Sequence, residues 1–113
     1  MARKLNKYRK ILSDCLSEYV TDRMPQKDIQ FHFVKDAEHG HFQVLQMVWS
    51  KGVFRCDIIF HFDIKPDGKV WLWVNNTDIL ITEDLIDKGI PKKEIVLGFH
   101  PPEVRAYTGY GVA

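Results

Sequence analysis

Five histidines are the residues of this chain whose chemistry is easiest to recognise. His32 and His61 fall on the polar faces of predicted strands, His39 and His41 flank a predicted turn, and His100 precedes two prolines. Imidazole is a common ligand of zinc and related ions. No two histidines have zinc-finger or HExxH spacing. A metal protein or small hydrolase would therefore need His32, His61 and His100 to be brought together by folding.

Acid–base chemistry has one further candidate, because Asp57 and Asp63 alternate on the same predicted strand as His61. Carboxylates on a half-exposed strand are more often solvated or paired with nearby cations such as Arg55 and Lys69. The chain has no G-x-S-x-G sequence, no P-loop and no dinucleotide fingerprint. We therefore expect a protein that is not an enzyme, with no catalytic residues, no cofactor and no bound metal.

Two cysteines, Cys15 and Cys56, lie 41 residues apart and have no CxxC spacing. In a reducing compartment such cysteines stay reduced. Both are placed by the hydrophobic pattern on faces that point to the core, so we predict two free, buried thiols.

The positive charge is concentrated at the start of the chain. The net charge is +1, yet the first ten residues carry five basic and no acidic side chains, which leaves −4 on the other 103 residues. A basic end of this kind is typical of either a solvated helix face or an arm that contacts phosphate or an acidic partner. The candidate contacts, which could include DNA, are Arg3, Lys4, Lys7, Arg9 and Lys10.

The hydrophobic spacing predicts one helix followed by a sheet. From Lys4 to Asp22 the apolar residues recur at steps of three and four, which is the stripe of an amphipathic helix. From Ile29 the period becomes two, and short turns separate the strands. Thr82 as N-cap and Gly89 as the stop indicate a short second helix. The fold class is therefore α+β, with an N-terminal helix on an antiparallel meander of four or five strands and an ordered, irregular C-terminal tail.

One face of this sheet would be covered by the first helix, and the other also carries large apolar residues. These are Leu45, Met47, Trp49, Ile59, Trp71 and Trp73. Either the second helix and the tail cover them within one chain, or they form a subunit contact, where tryptophan is enriched. We predict a homo-oligomer, with Trp49, Trp71 and Trp73 as candidate interface residues.

At 113 residues the chain fits one domain spanning residues 1–113. No segment has the roughly 18 apolar residues that a membrane-spanning helix needs. No apolar segment typical of a signal peptide follows the basic start. The expected location is therefore the cytoplasm, with no membrane contact.

The C-terminal region contains a distinctive string, Gly98-Phe99-His100-Pro101-Pro102-Glu103-Val104-Arg105. Together with the opening Leu5-Asn6-Lys7-Tyr8-Arg9 and the Trp71-Leu72-Trp73 strand, it resembles the XisI-like family, the fdxN element excision controlling factors of cyanobacteria. The likeness extends over essentially the whole chain. It marks a candidate surface formed by Gly98, Phe99, His100, Pro101, Pro102, Glu103 and Arg105.

The resemblance implies an accessory factor that controls the site-specific excision of a DNA element. Such proteins act with a recombinase and a XisH-type partner, and the family supplies no catalytic residues to carry over. The Pro101-Pro102 pair predicts a stiff, extended segment that fixes His100 and Arg105 in position. The string could anchor the tail to the sheet, form a protein-binding surface, or place His100 for catalysis or metal binding.

Overall fold

The computed structural model describes residues 2–24 and 26–112. Within them the chain forms helix α1, four long strands, helix α2, a short strand β5 and a final turn of helix α3. The bounds are α1 Ala2–Asp22, β1 Ile29–Asp36, β2 His41–Ser50, β3 Val53–Ile64, β4 Val70–Asn75, α2 Ile81–Asp87, β5 Ile95–Leu97 and α3 Pro102–Arg105. A short 3₁₀ turn, Lys92–Glu94, precedes β5. No helix in this part of the chain is both long and apolar enough to cross a membrane.

Helix α1 packs its apolar stripe against one face of the sheet, which we call the inner face. Tyr8, Leu12, Cys15 and Leu16 are buried there at successive turns of the helix. This confirms the predicted amphipathic helix. It also confirms that Cys15 is a free, buried thiol. The helix ends at Asp22, where the hydrophobic spacing predicts its end.

The sheet has the order β1-β2-β3-β4-β5. The first four strands pair antiparallel, as the short turns predict. Strand β5 instead pairs parallel with β4, so the sheet is mixed rather than a pure meander. The reason is that α2 lies in the connection and returns the chain to the starting end of β4.

A bulge in β3 decides which side chains of this strand reach the core. Val44 pairs with Phe60 but Leu45 pairs with Ile58, so Ile59 is an extra residue. Ile59 and Phe60 are consequently both buried. The prediction that Ile59 lies on the other face is therefore wrong, because strict alternation does not hold across a bulge.

The same bulge reverses the face of the sheet to which each side chain in the first half of β3 points. Phe54, Cys56 and Ile58, which alternation from Phe60 places on the inner face, are exposed instead. The prediction of a buried thiol is thus wrong for Cys56, which is free and exposed.

The C-terminal tail is packed against the sheet over most of its length. The amide of Gly111 donates to the carbonyl of Ile95 at 2.7 Å, and the Lys69 ammonium donates to the carbonyl of Val112 at 2.7 Å. Thr82, predicted as an N-cap, lies inside α2 and shares a 2.9 Å hydrogen bond with the hydroxyl of Tyr110. These contacts confirm an ordered tail, although α3 makes it less irregular than predicted.

Candidate functional site

The face of the sheet opposite α1, here called the outer face, carries a cluster of polar side chains around Asp63. The side chain of Asp63 is 12% exposed. Its Oδ1 lies 2.7 Å from His41 Nδ1 and 3.0 Å from His61 Nε2. Its Oδ2 accepts a 2.9 Å hydrogen bond from the indole of Trp73. Gln43 completes the cluster, 2.8 Å from His61 Nδ1.

Three strands bring this cluster together. In the register, His41 lies opposite Asp63, Gln43 lies opposite His61, and Trp71 lies opposite Asp63 from the far side. Burial disfavours the charged form of Asp63, but hydrogen bonds from His41 and Trp73 and the nearby histidines outweigh it, so the pKa of Asp63 lies below its usual range. Asp63 is therefore a buried carboxylate held in its ionised form.

The sequence-based site of His32, His61 and His100 is not assembled. His32 hydrogen-bonds Gln30 near the start of β1, and His100 packs against Phe99 in the tail. Within residues 2–24 and 26–112, the one set of three groups close enough to share an ion is His41, His61 and Asp63. Sequence reasoning identified His61 and Asp63 but missed His41.

The predicted grouping of Asp57 with Asp63 is wrong for the same reason as the Cys56 prediction. The bulge at Ile59 lies between them, so Asp57 points to the inner face and Asp63 to the outer face. Asp57 is instead paired with Arg55 at 2.9 Å.

Trp71 and Trp73 form a stacked pair next to Asp63 and are covered in part by the tail. Their ring centroids lie 5.1 Å apart with planes 23° from parallel. The guanidinium of Arg105 lies 4.9 Å from the Trp71 ring, and Gly98 packs so closely on Trp73 that a Cβ there would lie 2.7 Å from the indole. These two members of the candidate interface are therefore largely occupied within the chain.

The string from Gly98 to Arg105 divides into an anchoring part and an exposed part. Gly98 and Arg105 are buried, and Arg105 Nη2 donates to the Gly98 carbonyl at 3.2 Å. Pro101 is extended with φ −61° and ψ 151°, but Pro102 starts α3, so the predicted extended Pro-Pro segment is only half right. A proline fits the first helical position because its missing N–H is not needed there.

Two groups of exposed apolar side chains stand out among the residues that the structure describes. The first, called the motif patch, consists of Phe99, Val104 and Tyr107 around the exposed Pro101, Pro102 and Glu103. The second, called the hairpin patch, consists of the exposed Trp49, Phe54 and Ile58 and the half-buried Met47 on the outer face of β2 and β3. Trp49 is 58% exposed and Phe54 48% exposed, with ring centroids 5.2 Å apart.

The hairpin patch borders a shallow groove of about 420 Å³. Its lining residues include Gln30, His32, Met47, Trp49 and Phe54. The groove lies between the segment from Gln26 to His32, at the start of β1, and the outer face of the β2–β3 hairpin.

The five basic residues of the first helix are only partly available for a partner. Lys4 forms an ion pair with Glu94, and Lys10 pairs with Asp14 at 3.0 Å. Arg9 Nη1 donates to Asn6 at 3.2 Å. Arg3 and Lys7 are exposed, and neither side chain has an ion pair with any residue that the structure describes.

Together these features define a class, the small α+β proteins in which one long helix covers one face of a mixed five-stranded sheet and a C-terminal tail closes part of the other. Within that class the chain belongs to the XisI protein family, because the sequence pattern of that family matches residues 1–112. Among proteins of curated function, none matches this chain.

Two solved structures from Anabaena variabilis ATCC 29413 share the fold. A XisI-like protein, solved at 1.30 Å, is 38% identical, with a TM-score of 0.89 over 96% of this chain and 99% of that chain. The fdxN element excision controlling factor XisI, solved at 2.19 Å, is 26% identical, with a TM-score of 0.82 over 97% of this chain and 99% of that one.

Proposed function

We propose that this protein is a non-enzymatic accessory factor that controls the site-specific excision of a DNA element through contacts with other proteins. The family membership and the name of one relative, an excision controlling factor, support the biological process. The motif patch supports the mode of action, because Tyr107 is 88% exposed and Phe99 51% exposed beside a buried, anchored Arg105. Exposed aromatic side chains next to a buried, well-packed segment are typical of protein-binding surfaces.

The partners that fit this proposal are a XisH-type protein and a site-specific recombinase. The motif patch is their proposed contact, because its anchor residues Gly98 and Arg105 fix the geometry of the exposed ones. A second copy of the chain is proposed to bind at the hairpin patch, with Trp49 as the central residue. Trp71 and Trp73 would stay outside this contact, because they lie beside Asp63 near the end of β3, away from Trp49 and Phe54 at its start.

The test is removal of the gene from its host, followed by sequencing deep enough to count excision junctions across the genome. The proposal expects the junction frequency of at least one element to change, and a wild-type copy to restore it. A copy with Phe99→Ser and Tyr107→Ser should fail to restore it. A matched copy with Leu80→Ser should succeed, because Leu80 is 67% exposed but lies outside both patches.

The contact itself is tested by co-purifying the tagged wild type and the same variants with the XisH-type protein and the recombinase of the host. Loss of co-purification in the Phe99/Tyr107 variant alone would support the motif patch. Unchanged junction frequencies after gene removal would contradict the proposed process, whichever proteins co-purify.

Direct DNA binding by the first helix is the alternative to control through protein contacts. Two of its five cations are held by Glu94 and Asp14, so we expect only weak, non-specific binding, on the order of 10⁻⁴–10⁻⁶ M at physiological salt. Anisotropy titrations at several salt concentrations measure it. Tight binding that is lost in an Arg3→Ala, Lys7→Ala variant would favour the DNA-binding alternative over protein contacts.

A further inference from the structure

Three potential metal ligands converge on the outer face of the sheet at a place that excision control does not explain. His41 Nδ1, His61 Nε2 and Asp63 Oδ1 all lie within 4.8 Å of one another. They come from the start of β2 and the end of β3, two rigid paired strands. We call these three residues the Asp63 site.

We propose that the Asp63 site binds one divalent transition-metal ion of the zinc class. Two imidazole nitrogens and one carboxylate oxygen form a ligand set that suits zinc and leaves a further position for water. In tetrahedral zinc sites the metal lies about 2 Å from each ligand atom. Tetrahedral ligand atoms at that radius lie about 3.3 Å apart. The His–Asp separations of 2.7 Å and 3.0 Å would therefore open by roughly 0.3–0.6 Å, and the two imidazole nitrogens, which lie within 4.8 Å of each other, would adjust to the same spacing.

The hydrogen bonds around the site position its ligands as outer partners do in metal sites. Trp73 holds Asp63 Oδ2 and leaves Oδ1 for the ion. Gln43 contacts His61 at Nδ1, the nitrogen that would not ligate. Turning the Gln43 amide presents its oxygen to an Nδ1–H, and that contact fixes the tautomer whose Nε2 is free for the metal.

The site is open to solvent on one side. The side chains of His61 and Asp63 are 22% and 12% exposed, whereas that of His41 is 54% exposed. That exposure gives the ion a path from solvent and leaves a coordination position facing water.

The chain contains a matched control for this proposal. His39 Nδ1 contacts Asp36 at 2.7 Å in the turn that precedes β2, so it is also a His–Asp pair with a short contact. Both groups are exposed, and His39 and Asp36 belong to no set of three candidate ligands among the described residues. We expect no specific ion there.

The experiment is calorimetric titration of the full chain with Zn²⁺, repeated with Co²⁺ and its visible absorption spectrum. It uses protein without an affinity tag in a Cys56→Ser background, because the exposed Cys56 thiol could bind zinc by itself. The proposal expects one ion per chain. Binding should be lost in His41→Ala and in His61→Ala and unchanged in His39→Ala.

Gln43→Ala tests the outer partner separately and should weaken binding about 10–100-fold without abolishing it. Far-UV circular dichroism checks that each variant folds. If the His61→Ala variant does not fold, the zinc affinities of the His41→Ala and Gln43→Ala variants are sufficient to test the proposal. Absence of binding to the parent protein, or equal affinity in His41→Ala and His39→Ala, would overturn the proposal and leave the Asp63 site as a hydrogen-bonded network.

Discussion

Arg105 connects the most distinctive stretch of the sequence to the sheet. Arg105 is 8% exposed, and its side chain donates to the Gly98 carbonyl and lies over the Trp71 ring. A buried guanidinium is tolerated only when such contacts replace water. Its Nε has no partner among the described atoms, so the contacts satisfy Arg105 only in part.

Replacing Arg105 with alanine should therefore destabilise the protein. We expect the free energy of unfolding to fall by about 1–3 kcal/mol, because a buried hydrogen bond and a contact between cation and aromatic ring are both lost. Urea denaturation measures the change. The matched control is Arg55→Ala, an exposed arginine paired with Asp57, which should cost about 1 kcal/mol or less. Equal losses in the two variants would contradict the anchoring role.

The residue-level chemistry was only partly predictable from the sequence. Asp63 and His61 are two residues apart on a predicted strand, so they share a face because no bulge falls between them. His41 joins them through strand pairing across a distance of 22 residues, and the indole of Trp73 arrives from a third strand. Residue types and local spacing carry no information about such a meeting.

At the scale of elements, the β2–β3 hairpin shows how one extra residue changes the outcome. The two-residue turn at Lys51-Gly52, with positive φ at both positions, fixes the register near Trp49 and Phe54. The bulge at Ile59 then shifts the register by one residue for the rest of β3. Without it, His41 would lie opposite Phe62 rather than Asp63, and the Asp63 site would not form.

Thiol reactivity tests this description of the hairpin. Cys56 is exposed and should react with a thiol reagent in the native protein. Cys15 should not react, because it is buried and because burial raises the pKa of its thiol, which lowers the thiolate fraction at any given pH. We therefore expect one fast-reacting thiol per chain in the native protein and a second only after unfolding. The measurement is the coloured product that a chromogenic thiol reagent releases as it reacts.

The matched variants assign the signal. Cys56→Ser should remove the fast reaction, and Cys15→Ser should leave it intact. Two fast thiols, or none, would contradict the register that the bulge sets.

At the scale of the whole molecule, α1 and the tail leave the end of the hairpin uncovered. The fold extends 45 Å in its longest direction and 24 Å in its shortest. The exposed Trp49 and Phe54 lie beside the β2–β3 turn, on the face of the sheet opposite α1. An apolar surface of this kind favours self-association.

Self-association should therefore depend on the hairpin patch. A Trp49→Ser, Phe54→Ser variant should shift the protein to smaller species in sedimentation or light-scattering measurements at several concentrations. Leu80→Ser, another exposed hydrophobic residue, should leave the size unchanged. A wild-type protein that is monomeric at every concentration would refute the interface. Substitution of Trp71 should instead lower stability, because Arg105 packs on it within the chain.

The sequence by itself determined the α+β class, the stripe of α1, the order of the first four strands and the family. Each of these depends on local periodicity, on turn chemistry or on a contiguous string such as that from Gly98 to Arg105. The tertiary structure alone decided that β5 pairs parallel, that Cys56 faces solvent, that the tail covers Trp71, and that His41 meets Asp63. These features depend on strand register and on contacts between distant segments. A single bulge changes the register, and no local pattern in β3 marks where that bulge falls.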